Sequence, residues 1–230
     1  NMQLDPTTGY YNMVMNGGQF RSKGFELTLN TMNIRNNSFS WLSTIMLSKN
    51  RTKVVKYPYK LPTADSYVYN SGSAGSFLLE GHDEAAVLAF PFAGLDPNTG
   101  DPQGYLNGAM SKDYMSILYG GTENLVDLGP GRPTYYGNIA NEFVIGKFSM
   151  RFNIQGRFGF KFFRSTFSQV NAADTRMGHP DYALRWQNPG DELKTDIPSL
   201  KYPIDFFRDN FFKKSDALVI KGDHIRLQDI

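Results

Sequence analysis

The sequence FVIGKFSMRFNIQGRFGF at residues 143–160 alternates strictly between apolar and polar side chains from Phe148 onward. The apolar positions are Phe148, Met150, Phe152, Ile154, Gly156 and Phe158, and the polar positions are Ser149, Arg151, Asn153, Gln155 and Arg157. Successive side chains of a strand point to opposite faces, so the pattern predicts one β-strand with an apolar face and a wet, charged face. About 11 alternating residues exceed the usual strand length of about 5–6 and match a strand tilted across a bilayer.

The composition agrees with a strand-built membrane protein. The 230 residues have a mean hydropathy of −0.41, and no run of 18 apolar residues predicts a transmembrane helix. Only every second residue of a barrel strand faces lipid, which keeps the mean hydropathy of such chains low. Aromatic residues make up 14% of the chain, which suits strands and the aromatic girdles at membrane interfaces.

Charge and cysteine content exclude several classes of protein. A net charge of +2 is too small to indicate a nucleic-acid partner. The absence of Cys excludes disulfides, zinc–thiolate sites and thiol catalysis, and we expect no cofactor. The chain opens on NMQLDPTTGYY, without a signal peptide, and stops at HIRLQDI within a strand-like run. We therefore expect it to be a segment of a longer polypeptide.

Tight turns and long loops alternate along the chain. Hairpins are predicted at about 25–50 and 135–160, long loops at about 51–133 and 161–215, and a last strand at about 217–230. Loops beyond about 12–15 residues are uncommon in compact soluble domains, whereas outer-membrane barrels combine short periplasmic turns with long extracellular loops. The predicted fold is all-β, a segment of a large antiparallel transmembrane β-barrel with long extracellular loops. A β-sandwich with two insertions is the alternative.

Five collinear stretches resemble the SusC/RagA family of TonB-dependent outer-membrane transporters. They are NGGQFRSKGFELTLN (16–30), EGHDEAAVLAFPFAGLDPNTGDPQGY (80–105), RPTYYGNIANEFVIGKFSMRFNIQGRFG (132–159), RWQNPGDELKTDIPS (185–199) and VIKGDHIRLQDI (219–230). One departure is Ile145-Gly146, where the family usually has Tyr-Lys in the turn. That change is confined to a turn.

The resemblance implies nutrient import across the outer membrane of a Gram-negative, Bacteroidetes-like bacterium. Such proteins form a plugged barrel of about 22 strands. A SusD-like surface lipoprotein delivers a glycan or peptide, and TonB acts through an N-terminal region that we expect to lie outside these residues, together with the plug and the final strands. The resemblance implies a transporter rather than an enzyme, with the lipid bilayer as a further partner.

Two groups of residues are candidates for function. On the polar faces of the predicted strands, the lumen-facing candidates are Glu26, Glu142, Arg151, Asn153, Gln155 and Arg157. They either line the lumen against plug and water or tune selectivity along the substrate path. In the loops, the aromatic candidates for ligand contact are Tyr105, Tyr114, Tyr119 and Trp186. These rings either stack on a ligand or hold the loops together.

Other motifs favour ordinary structural roles. DPNTGDP (96–102) lacks the ligand spacing of an EF-hand, so we predict a turn rather than a metal site. His82, His179 and His224 lack metal-ligand spacing. Two other classes of protein stay open at this point: a soluble β-sandwich module that binds carbohydrate, and a degradative enzyme on a β scaffold.

Overall fold

The computed structural model describes residues 2–3, 12–13, 17–73, 78–176 and 178–229. Its strands, in chain order, are β1 (Met2–Gln3), β2 (Asn12–Met13), β3 (Gln19–Arg35), β4 (Phe39–Lys56), β5 (Ala86–Ala89), β6 (Gly104–Leu106), β7 (Ala109–Ser111), β8 (Val126–Pro130), β9 (Tyr135–Ile145), β10 (Phe148–Phe158), β11 (Lys161–Phe163), β12 (Val219–Lys221) and β13 (His224–Asp229). Its α-helices are α1 (Ala64–Tyr69), α2 (Tyr114–Tyr119), α3 (Gln169–Thr175) and α4 (Phe206–Lys213). Short 3₁₀ helices occupy Thr122–Asn124, Pro180–Leu184, Asp191–Leu193 and Asp216–Leu218.

A five-stranded antiparallel sheet in the order β13–β10–β9–β4–β3 dominates the structure. Two tight turns join its hairpins at one end. In the first turn, Asn36 Oδ1 accepts hydrogen bonds from the backbone N–H groups of Ser38 and Phe39. In the second, Gly146 has a φ of 58°, a conformation that glycine adopts without steric cost. Both long connections therefore leave from the opposite end of the sheet.

The strands differ in extent from the sequence prediction. The first hairpin is longer at both ends than 25–50, because β3 and β4 have 17 and 18 residues. The last strand, predicted over 217–230, is divided: β12 pairs with β11, and β13 joins the main sheet beside β10. The chain bends between them, where Gly222 N–H donates to the Phe160 carbonyl and Asp223 accepts from the Gly159 N–H. A Cβ on Gly222 would lie 2.2 Å from the Phe160 ring, so the bend requires glycine.

The main hydrophobic core lies in the long connections rather than under the sheet. Its buried members are Ala64, Tyr67, Val68, Ala86, Leu88, Phe90, Tyr114, Ile117, Leu118 and Phe211. These residues come from helices α1, α2 and α4, from strand β5 and from Phe90 directly after it, all within the stretches predicted as long loops. Each of these three helices begins at a residue whose side-chain oxygen accepts a backbone N–H: Thr63, Asp113 and Asp205.

The two long connections pack together into one body, which we call the loop unit (described residues within 57–133 and 161–218). Phe211 of the second connection packs against Phe90 and Tyr114 of the first, with ring centroids 6.0 and 5.5 Å apart. The Phe90 N–H donates to the Lys214 carbonyl, and the Asp216 N–H donates to the Phe90 carbonyl. Among the described residues, no helix is long and apolar enough to cross a membrane.

Candidate functional site

The strand register places the apolar side chains of four strands on one face of the sheet. Directly paired residues across an antiparallel ladder share a face, and the pairs form rows such as Met150–Phe143–Trp41 and Ile154–Ile139–Ile45–Leu29. The alternation of apolar and polar residues along these strands predicts a set of lipid-facing side chains, and all of them lie on this face: Phe25, Leu27, Leu29, Phe39, Trp41, Ile45, Leu47, Ile139, Phe143, Phe148, Met150, Phe152, Ile154 and Phe158. We call this the apolar face.

The apolar face is exposed. Phe148 is 82% exposed, and the strands beside it leave Phe25, Leu27 and Ile139 exposed as well. A soluble sandwich would bury this face under a second sheet, but the described residues place no second layer over it. From Phe39 to Lys49 the band extends about 34 Å along the strand, or about 26 Å in height at a tilt of about 40°, which matches the apolar band of a membrane barrel.

Aromatic rings border the apolar face at both ends. Near the tight turns, Phe143 stacks on Phe39 and Trp41 with centroids 6.4 and 5.6 Å away. Phe152, one row nearer the middle of the band, meets Phe143 edge-on at 6.3 Å. At the end nearer the loop unit, Tyr135 lies beneath the Lys49 ammonium, which is 5.1 Å from the ring centroid. Two aromatic belts flanking an apolar band are typical of strands that cross a bilayer.

A polar cluster interrupts the apolar face and satisfies its own hydrogen bonds. Asn141 Oδ1 accepts from Trp41 Nε1 at 3.0 Å and from Ser43 Oγ at 2.6 Å. Asn33 Nδ2 donates to Ser43 Oγ at 2.6 Å, and Thr31 Oγ1 donates to Asn33 Oδ1 at 3.0 Å. Since an unpaired polar group in hydrocarbon costs several kcal/mol, this chain of hydrogen bonds makes the cluster compatible with lipid.

The opposite face of the sheet is polar and carries all six lumen-facing candidates. The register pairs Arg151 with Glu142, and the row Arg157–Tyr136–Ser48–Glu26 crosses four strands. The remaining two candidates contact β13: Arg226 donates to Gln155 Oε1 at 3.1 Å, and Asn153 donates to Asp229 Oδ2 at 3.3 Å. The structure therefore brings Glu26, Glu142, Arg151, Asn153, Gln155 and Arg157 together on one surface, the polar face.

Two buried atoms of the polar face lack a hydrogen-bond partner among the described residues. They are Asn153 Oδ1 and Arg157 Nε. The Arg157 guanidinium lies over the Tyr136 ring, 6.0 Å from its centroid, so part of this side chain is stabilised by the aromatic face. A buried polar atom without a partner costs about 1–3 kcal/mol, so both atoms favour contact with further polar groups or water on this face.

The structure divides the four aromatic ligand-contact candidates into two pairs. Tyr105 and Tyr119 are exposed, with Tyr119 51% exposed and edge-on to Phe207 at 6.0 Å. Tyr114 and Trp186 are only 5% and 8% exposed. Their rings are buried within the loop unit, which is the packing role that the sequence left open beside ligand contact.

Specific contacts fix the two buried rings. The Tyr114 hydroxyl donates to the Pro102 carbonyl at 2.8 Å, and burial raises the pKa of this phenol far above its usual value. Trp186 packs over Gly100, where a Cβ would lie 2.4 Å from Trp186 Cδ2, and its Nε1 donates to Glu192 at 3.1 Å. Gly100 also has a φ of 65°, so both the lack of room for a Cβ and the backbone conformation require glycine.

Asp96 forms a turn stabilised by a lysine. Its carboxylate accepts hydrogen bonds from the N–H groups of Asn98 and Thr99 and from Lys112 Nζ at 2.8 Å. The hydrogen bond from Lys112, followed by that from Asn98, lowers the pKa of Asp96 to about 2. The carboxylate is thus engaged by backbone and lysine donors, the arrangement of an Asx-type turn.

Sequence reasoning did not find two cavities of the loop unit. The larger, about 480 Å³, is lined by aromatic and apolar side chains together with Gln169, Arg176 and His179, and two of its lining residues, Tyr182 and Tyr202, are exposed. The smaller, about 380 Å³, lies between Tyr57 and Glu123. The sequence signal for the larger cavity is the presence of aromatic residues near Arg and His within 161–215, but their spacing forms no recognisable motif.

An ion-pair network supports one wall of the larger cavity. Asp181 accepts from Arg164 Nη1 at 2.6 Å and from Thr166 Oγ1 at 2.7 Å. Burial alone would raise the pKa of Asp181, but the hydrogen bonds from Thr166 and Arg164 outweigh it and lower the pKa below the usual value. Next to it, the Arg185 guanidinium stacks 4.1 Å from the centroid of the Tyr182 ring. The cavity is therefore held in shape by charges as well as by packing.

Comparison with curated proteins finds TonB-dependent receptors of Formosa agariphila. No family model matches the sequence. TonB-dependent receptor P26 is 44% identical over 48 residues, which is 21% of this chain and 5% of that protein. TonB-dependent receptor P3 is 23% identical over 150 residues, 62% of this chain and 14% of that protein. The chain therefore spans only a small part of the length of the relatives it matches.

Comparison with solved structures finds the RagAB peptide importer. The chain aligns over 99% of its length, and 23% of the other chain, with the open-open state at a TM-score of 0.64 and 14% identity. A second RagAB peptide transporter structure gives a TM-score of 0.63 over the same share of this chain. At this identity the likeness establishes the fold alone. It confirms the predicted mostly-β fold of antiparallel sheets, and with the curated relatives it confirms the resemblance drawn from the motifs: the chain is similar to a barrel segment of TonB-dependent receptors of the SusC/RagA kind.

Proposed function

We propose that this chain is the part of an outer-membrane importer that forms barrel wall and extracellular loops, in a protein that takes up a glycan or peptide by a TonB-dependent mechanism. The observation that carries the proposal is the register of the main sheet. It makes one face continuously apolar and exposed, and the other polar, across four strands. A wall with lipid on one side and a water-filled or plugged lumen on the other needs this arrangement.

The position of the loop unit supports a role in capturing substrate. Both long connections leave the end of the sheet opposite the tight turns and fold into one body with its own core. In outer-membrane barrels the longer loops are extracellular, so this body would meet arriving substrate or a SusD-like lipoprotein first. Its larger cavity offers exposed tyrosines with Arg176 and His179, groups that suit either sugar rings or peptide carboxylates.

The polar face supports a role inside the barrel. Its charges of both signs, together with the buried and unpaired Asn153 Oδ1 and Arg157 Nε, suit contact with a plug or with hydrated substrate. Coupling to TonB would belong to a part of the protein outside these residues. The similar RagAB structures are described as a peptide importer, which makes peptide the first substrate class to test.

Uptake by intact cells tests the proposal. Cells lacking the gene would be compared with complemented cells for import of fluorescent oligopeptides and oligosaccharides, with and without dissipation of the proton gradient. We expect gradient-dependent uptake of one class, lost on deletion and restored by complementation. Tyr202→Ala, at the larger cavity, should weaken uptake, whereas Leu193→Ala, also highly exposed but outside that cavity, should not. Unchanged uptake of both classes after deletion would refute the proposal.

A further inference from the structure

A cluster of basic side chains lies directly beyond the apolar band at the end nearer the loop unit. On the face that carries Phe25 and Phe158, the side chains of β3 and β4 that follow the apolar band are all Lys or Arg. The register pairs Lys49 with Phe25, then Arg51 with Lys23, then Lys53 with Arg21. We call Arg21, Lys23, Lys49, Arg51 and Lys53 the basic row.

Two of these cross-strand pairs bring like charges directly opposite each other. Cβ atoms of directly opposed residues are only about 4.5–5.5 Å apart, and like charges at such positions destabilise a sheet. Arg51–Lys23 and Lys53–Arg21 are consecutive pairs of this kind on one face. A sheet with two such pairs in succession favours a counter-charge above it.

The described part of the chain supplies one carboxylate next to these five cations: the largely buried Asp83, which lies opposite Lys53 in an isolated antiparallel bridge. Among the five cations, Arg51 alone has a carboxylate of the described residues within 4.0 Å: its Nε lies 3.5 Å from Asp83 Oδ2, and its side chain is still 62% exposed. Lys49 leans over the Tyr135 ring at 5.1 Å. Arg21, Lys23 and Lys53 are exposed, so most of the positive charge points away from the protein.

The location of the basic row indicates which anion it meets. Phe25 and Phe158 end the apolar band immediately below it, so acyl chains lying against those rings would bring their headgroups to the level of Arg51 and Lys53. Long basic side chains beside an apolar band extend to the interface and interact with anionic headgroups. A soluble anion would have no reason to require the adjoining apolar surface.

We propose that the basic row binds the phosphate of an anionic lipid headgroup in the leaflet on the loop-unit side, while the lipid's acyl chains lie on the apolar face. Arg51 and Lys23 form the lower pair that contacts the phosphate, and Lys53 and Arg21 form the upper pair. The proposal rests on the membrane placement of the sheet and does not depend on which substrate is imported.

Native mass spectrometry of the intact protein, released from detergent, tests this directly. The probes are phosphatidylglycerol, phosphatidylcholine and inorganic phosphate. We expect retained phosphatidylglycerol, no retained phosphatidylcholine, and no displacement of the lipid by phosphate in the millimolar range. The double variant Lys23→Gln/Lys53→Gln should bind phosphatidylglycerol at least about tenfold more weakly. The matched control Lys147→Gln/Lys194→Gln removes two exposed lysines elsewhere and should bind normally.

Each other outcome overturns the proposal. Equal retention of phosphatidylglycerol and phosphatidylcholine by the wild-type protein would exclude a headgroup site, whatever the variants do. Displacement by inorganic phosphate would assign the row to a soluble anion instead of a lipid. A variant with unchanged lipid retention would exclude Lys23 and Lys53. Substrate uptake measured on the same variants separates this proposal from the import proposal. A variant that loses lipid binding but keeps normal uptake supports the lipid site and does not bear on import.

Discussion

Arg208 and Asp101 form a buried ion pair, Nε to Oδ1 at 2.6 Å, that joins the second long connection to the first. The guanidinium also donates to the carbonyl and hydroxyl of Ser199 at 2.9 and 3.0 Å. With its charge and its donors both engaged, Arg208 connects helix α4 to the turn that precedes β6. The loop unit therefore depends on a contact between residues 107 positions apart in the sequence.

Removing this arginine should open the loop unit. Arg208→Met leaves the buried Asp101 carboxylate with the more distant Lys112 ammonium, at 3.7 Å, as its charge partner. We therefore expect a loss of about 3 kcal/mol in the local free energy of unfolding, the low end for a broken buried ion pair. Hydrogen exchange at the helical amides of α2 and α4 measures it. Lys213→Met is the control on the same helix: it breaks the more exposed pair with Asp209, at 3.2 Å, and should cost less than about 1 kcal/mol. Equal protection in both variants would contradict a structural role for the buried pair.

The two faces of β10 should respond oppositely to the same charge. Phe152→Arg places a guanidinium on the apolar face near the middle of the band and should cost about 2–4 kcal/mol, so little folded protein reaches the outer membrane. Gln155→Arg places the same group on the polar face, where its pairing with Arg226 costs about 1 kcal/mol or less, and should be tolerated. Heat-modifiable migration of the outer-membrane fraction measures folded barrel. Equal amounts of the two variants would argue against the assigned faces.

Acid should loosen the Asp96 turn in a defined pH range. Lys112 holds the pKa of Asp96 at about 2, below the usual value of 3.8. The folded-state pKa is depressed, so this stabilisation is fully present above about pH 4 and is lost as the pH falls toward 2. We expect hydrogen exchange of the Asn98 and Thr99 amides, which donate to Asp96, to rise relative to the intrinsic rate over that range in the wild type. In Asp96→Asn this ratio should be similar at each pH, and a wild type with the same flat profile would contradict the assignment.

Two glycines with positive φ provide a test of the packing around Trp186. Gly94 and Gly100 have φ of 91° and 65°, and a Cβ on Gly94 would meet no atom within 4 Å, whereas one on Gly100 would overlap the Trp186 ring. Gly94→Ala should cost about 1–2 kcal/mol from backbone strain alone. Gly100→Ala should cost about 1–3 kcal/mol more from overpacking. Exchange of the Asp96 amide, which donates to the Asp101 carbonyl, reports the difference. Equal costs would mean that Trp186 does not pack there.

The sheet was predictable from the sequence because its two faces meet different surroundings. A strand between lipid and a polar interior must alternate at every residue. The sequence of β10 alone therefore indicated which of its side chains, such as Phe148 and Phe152, lie on the apolar face. The same logic placed Arg151 and Arg157 on the polar face. Neither inference needed knowledge of distant contacts.

The loop unit could not be predicted in the same way. Helices α1 and α2 have six residues each and α4 has eight, too few to display a helical period. The burial of Tyr114 and Trp186 depends on partners far away in the sequence, such as Phe211, rather than on local pattern. Aromatic residues in a Gly- and Pro-rich stretch therefore suggested ligand contact, but two of the four, Tyr114 and Trp186, pack inside the loop unit. The division of the last strand at Gly222 likewise depends on the distant ring of Phe160.

Site-directed spin labelling of two adjacent residues tests the central claim, that lipid contacts one face of β10 and the polar interior contacts the other. These 230 residues contain no Cys, so Ile154→Cys and Gln155→Cys introduce unique labels within the segment. In the intact protein in bilayers, the label at Ile154 should be accessible to oxygen, which partitions into lipid, and shielded from a water-soluble nickel complex. The label at Gln155 should show the smaller oxygen accessibility. Equal oxygen accessibility at both positions, or the reverse order, would contradict the account.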